Sequence, residues 1–79
     1  METMIEKEID ILVFKTNIKY KKDLEKVQDI LKVHPKITKW HVDLSDRDKV
    51  LRIESIDILP HQIINQLQQV GFSCEELPD

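Results

Sequence analysis

Apolar and polar residues alternate along this chain with a period that changes several times, and each change marks an element. From Glu8 to Thr16 apolar side chains are nearly continuous, with Ile9, Ile11, Leu12, Val13 and Phe14. So short a run, rich in β-branched and aromatic residues, predicts a strand in the middle of a sheet. The polar stretch Thr16 to Asp23 predicts a loop, in which Asp23 or a neighbour just before it accepts backbone N–H groups at a helix start. Then the period lengthens. Leu24, Val27, Ile30, Leu31 and His34 recur three or four residues apart and share one helical face, while Lys22, Lys26, Asp29 and Lys32 lie largely opposite. Pro35 ends this helix, because the residue before a proline avoids helical geometry.

Strict alternation returns from Thr38 to Leu44. Thr38, Trp40, Val42 and Leu44 fall on one face of the predicted strand, and Lys39, His41 and Asp43 on the other. Ser45 to Asp48 is a turn made of residues that hydrogen-bond their own backbone. Lys49 to Glu54 resumes as a strand with Leu51 and Ile53 on one face, completing a hairpin. Pro60 suits the first turn of a second helix, whose apolar face is Ile63, Ile64, Leu67 and Val70. Gly71 stands where a left-handed C-terminal cap belongs, and Phe72 to Leu77 reads as a short last strand.

The order strand, helix, strand, strand, helix, strand predicts an α+β, ferredoxin-like βαββαβ fold: four antiparallel strands with both helices on one face. The other sheet face is then open to solvent or to a partner. Both alternating sets of the first strand are apolar, so one set must point outward. The expectation placed there is Leu12 and Phe14, as an interface for a protein partner or for self-association.

Size and composition agree with one small domain. The 79 residues leave room for no second one, and the expected span is 1–79 with a structured core from about 8 to 77. No apolar stretch approaches the roughly 20 residues needed to cross a bilayer, so no membrane association is expected. The acidic start does not read as a signal peptide. Cys74 is the only cysteine, which precludes an internal disulfide and fits a cytoplasmic location.

The net charge of −3 hides an asymmetry. Between Lys15 and Lys39 there are eight lysines against three acidic residues, whereas the segments on either side are acidic. Such a cluster can steer an acidic partner or be a solvated helix face. Nucleic acid is not the expected partner, because the whole chain is acidic and Tyr20 alone stands among the lysines as a stacking side chain.

Three stretches resemble the heavy-metal-associated domain of copper chaperones and metal-pumping ATPases. They are Leu24 to Leu31 in the first helix, Ile37 with Trp40 to Leu44 in the second strand, and Ile63, Leu67 and Val70 to Cys74 at the end of the second helix. The resemblance covers roughly residues 9 to 77. It implies the same ferredoxin-like fold and, in ordinary members, a site for Cu(I), Zn(II) or related ions formed by Cys-x-x-Cys where the first loop enters the first helix. Counting back from Leu31 puts those positions at Tyr20 and Asp23, and the methionine that commonly precedes them near Ile18. This chain has no Cys, His or Met anywhere from Ile5 to Val33. It is therefore similar to a divergent member that lacks the metal motif.

The remaining chemistry is sparse. His34, His41, His61, Cys74, Met1 and Met4 are scattered, and no pair has the spacing of a structural zinc site. Cys74 reads as a buried structural thiol, and His34 as a helix-end residue bonded to a free carbonyl or favoured as a cation. Asp43, Ser45, Asp46 and Asp48 lack the glycine and terminal glutamate of an EF-hand loop. Ser45, Ser55, Ser73 and Cys74 have no activating neighbour in sequence. With Gly71 the sole glycine, no phosphate-cradling loop is present. The expected function is a non-catalytic interaction or regulatory module without a cofactor. One alternative is copper or zinc binding and trafficking through non-standard ligands. Another is binding of an anion or acidic partner by Lys19, Tyr20, Lys21 and Lys22.

Overall fold

A computed structural model describes residues 9–78. Strand β1 (Asp10–Thr16) leads into helix α1 (Lys21–Leu31), the hairpin β2 (Ile37–Asp43) and β3 (Val50–Ser55), helix α2 (Pro60–Gln69) and strand β4 (Cys74–Glu76). The strands form one antiparallel sheet in the order β2-β3-β1-β4, which is the ferredoxin-like arrangement. The predicted start of the first strand at Glu8 and the two methionines Met1 and Met4 lie outside the described residues.

Between sheet and helices lies a core built on Phe14, Ile18, Val27, Leu31, Leu51, Ile53, Ile63 and Leu67, each essentially without exposure. Leu12 and Phe14 belong to this core, at 8% and 0% exposure, which corrects their expected place on the open sheet face. Pairing with β3 explains the correction. Leu12 stands opposite Ile53 and Phe14 opposite Leu51, so all four point the same way, toward the helices. The open face instead carries Ile11 and Val13 from β1, Arg52 and Glu54 from β3, and Lys39 and His41 from β2.

Both helices begin alike. In α1 the Asp23 carboxylate accepts the N–H groups of Lys19 and Tyr20 at 3.1 and 3.0 Å. In α2 the Gln62 side chain accepts the Leu59 N–H at 2.9 Å, and Pro60 occupies the first turn. Helix α1 thus starts at Lys21, with Asp23 in its first turn rather than at its cap. Gly71, at φ +97, ends α2 as predicted. Its N–H donates to Gln68 and that of Phe72 to Leu67, both at 3.0 Å, the two bonds of a Schellman cap. Val70, expected on the apolar face, is 44% exposed beside this cap. Strand β3 starts at Val50 because Lys49, with φ +45, still belongs to the turn.

The helix-entrance loop as candidate functional site

The loop between β1 and α1 is held at three points. Thr16, itself buried, donates its hydroxyl to the Lys49 carbonyl at 2.6 Å and accepts the Ile18 N–H at 3.2 Å. Ile18 then turns inward and is wholly buried among Val27, Leu31 and the other core residues. Asn17 accepts the Ser73 N–H at 2.9 Å, which ties the loop to the approach of β4. These contacts hold the loop against the fold and leave Lys19, Tyr20, Lys21 and Lys22 all exposed at the entrance of α1.

Tyr20 and Asp23, the two positions to which the resemblance points, differ in behaviour. Tyr20 is 59% exposed, with the Lys22 ammonium 5.7 Å from its ring centroid. Asp23 faces back onto the loop. Hydrogen bonds from the Tyr20 and Lys19 amides, and behind them the charges of Lys26 and Lys22, hold its carboxyl below the usual range. An ionised carboxylate therefore already takes the two amides just before the helix, those of Lys19 and Tyr20. A phenol flanked by lysines and a carboxylate bonded to backbone make a poor set of donors for a soft cation. From sequence, Ile18 marks only the place near which a methionine would fall. An isolated apolar residue in a lysine-rich loop was the signal that it anchors the loop.

The other candidates stay apart. His34 Nε2 lies 2.7 Å from Gln66 Oε1, so its partner is a side chain of α2 rather than a helix-end carbonyl. His41 is exposed on β2 and His61 exposed in the first turn of α2. Cys74 is buried, and burial pushes its thiol up to about 11. Asp43 accepts the Ser45 N–H and hydroxyl at 3.1 and 2.7 Å, a hairpin turn as expected, and these bonds lower its pKa. Among the described residues, no three His, Cys, Asp or Glu side chains gather where they could hold a metal ion. No helix among them is long and apolar enough to cross a membrane.

Lys39, His41, Arg52 and Glu54 of the open face, together with Trp40 between Lys39 and His41, line a shallow concavity of about 360 Å³. The sequence alone does not bring this group together, because its members come from two strands joined only by the hairpin register.

The fold has well-matched solved counterparts. The N-terminal domain of ZntA in its Zn(II) form superposes with a TM-score of 0.70 at 15% identity, covering 84% of this chain and 89% of that one. The apo form of the HMA domain of the copper chaperone for superoxide dismutase gives 0.73 at 12% identity, covering 99% and 76%. This chain has the fold of heavy-metal-associated domains. At these identities the likeness is one of architecture. No family model and no curated protein matches the sequence.

Proposed function

We propose that this chain is a non-catalytic module with the heavy-metal-associated scaffold, one that has given up the family's metal site and acts by binding protein. The observation that carries the reading is the content of the helix entrance. Ile18 is packed into the core, Tyr20 is an exposed phenol, and Asp23 spends its carboxylate on the Lys19 and Tyr20 amides. All three stand where the scaffold's usual metal loop would present soft donors. The neighbours' names include a Zn(II) form and a copper chaperone, and they make metal handling the reading to be displaced. The donor chemistry of this loop speaks against it.

In this reading the scaffold is kept for its surfaces. Lys19, Tyr20, Lys21 and Lys22 form a cationic, partly aromatic patch suited to an acidic protein surface. The open sheet face offers a second. One domain over 1–79, acting in the cytoplasm, completes the proposal.

The test is a competition titration of the reduced protein with Cu(I) or Zn(II) against a chromophoric chelator. The chelator is expected to keep the metal. Uptake of one equivalent with sub-micromolar affinity would overturn the proposal.

A further inference from the structure

Among the described residues strand β2 is an edge of the sheet, and its pattern is complementary to itself. We propose that two copies of this chain pair through their β2 strands, antiparallel about His41, to make one continuous eight-stranded sheet. The inference rests on the reading of the domain as a surface that binds protein, and it names that partner as a second copy.

Hydrogen-bond parity sets the geometry. Ile56 donates its N–H to Lys36 at 2.9 Å. Counting by twos along the hairpin register, Glu54, Arg52 and Val50 turn their amides to β2 and meet Lys39, His41 and Asp43. Trp40 and Val42 are left with N–H and C=O groups directed at the free edge, a template for another strand. The irregularity between Ile37 and Lys39 breaks the strand on one side, and the turn after Asp43 ends it on the other. The regular free edge is therefore short and centred on His41.

A two-fold axis at His41 sets Trp40 opposite Val42 of the second copy, so the two outward backbone groups bond each other. On the helix side Trp40, half-buried at the edge of the core, gains an apolar neighbour across the strands. On the open face Lys39 meets Asp43 of the second copy, and the same ion pair repeats across the axis. Moving the axis to Trp40 would set Lys39 against the other copy's His41 and lose both ion pairs. The opposite edge is unsuited to self-pairing. Strand β4 is three residues long, and an axis at Glu75 would set glutamate against glutamate.

Sedimentation equilibrium on the wild-type chain, in a series reaching about 1 mM, is expected to show a mass rising from 9.4 kDa toward twice that value. A mass that stays at 9.4 kDa throughout overturns the proposal. Lys39→Glu and Asp43→Lys should each be monomeric, since each sets like charges across the axis. Mixed in equal amounts they should dimerise, because both cross-strand pairs of the mixed dimer then join opposite charges. Persistent monomers in the mixture, with both variants folded by circular dichroism, refute the register. Asp43 also accepts the Ser45 N–H and hydroxyl in the hairpin turn, so a second variant leaves that turn untouched. His41→Cys should form a disulfide dimer on mild oxidation, because residues facing each other at a non-hydrogen-bonded pair lie within disulfide reach. Lys39→Cys should not, and equal cross-linking of the two refutes the axis. Metal uptake in the titration above would overturn the functional reading, whereas a monomer that takes up no metal overturns only the dimer.

Discussion

Replacing Ile18 by Ala tests whether the helix-entrance loop is pinned by the core. The side chain has no exposure, so truncation removes three buried carbons. At about 0.8 kcal/mol per buried methylene the lost transfer energy is ~2.4 kcal/mol. A residual cavity adds to this, placing the cost near ~3 kcal/mol, within the usual range for such truncations. A domain of 79 residues has a total stability of roughly 4–12 kcal/mol, so the loss is a large share of it. Urea unfolding followed by far-ultraviolet circular dichroism measures the cost from the midpoint shift at constant slope. In a thermal melt the same loss lowers the Tm by roughly 12–24 °C. Tyr20→Ala, two residues on and exposed, should stay within about 0.5 kcal/mol of wild type. If Ile18→Ala cost less than about 1 kcal/mol, or no more than Tyr20→Ala, the loop would not be anchored as described and its surface would not be a fixed one.

Other consequences follow from the same structure. Ser55 has a buried hydroxyl with no partner among the described residues, so Ser55→Ala should leave stability unchanged or raise it by about 1 kcal/mol in urea unfolding. Asp23 has a lowered pKa in the folded state, so its contribution is present above the unfolded value and lost as pH falls through the folded one. The stability gap between wild type and Asp23→Asn should accordingly be widest near neutrality and shrink toward pH 2, which melts in a buffer series would show. The Cys74 thiol, pushed up to about 11, should react with a disulfide reagent at pH 8 far more slowly than in denaturant. Equal rates would show it exposed. Tyr20→Cys combined with Asp23→Cys installs Cys-x-x-Cys at the helix entrance and should confer Cu(I) uptake in the chelator competition that neither single change confers. Failure of the double variant would show that these positions are misassigned.

Punctuation made most of the fold legible in the sequence. Pro35, Pro60 and Gly71 marked the helix ends, and the change from period two to period 3.6 separated strands from helices. What the sequence left open was the facing of β1. Ile11, Leu12, Val13 and Phe14 are all apolar, so periodicity alone does not say which pair turns inward. Only the register with Leu51 and Ile53 decides it, and that is a tertiary fact. The start of α1 shifted for a local reason, since Asp23 serves the loop amides from inside the first turn. The candidate metal positions could be located from sequence because a resemblance supplied an alignment. That Ile18 anchors the loop emerged only when the core was assembled. The open-face group around His41 and Arg52 was invisible for the same reason as β1, because it is made by register.

The central claim is that the helix entrance has exchanged metal coordination for packing and capping. Its most direct test is a set of amide chemical shifts, recorded on the reduced protein as Cu(I) or Zn(II) is added to one equivalent. The amides from Thr16 to Leu24 are expected to stay where they are. Shifts confined to this loop that saturate at one equivalent would show a metal site there and contradict the account.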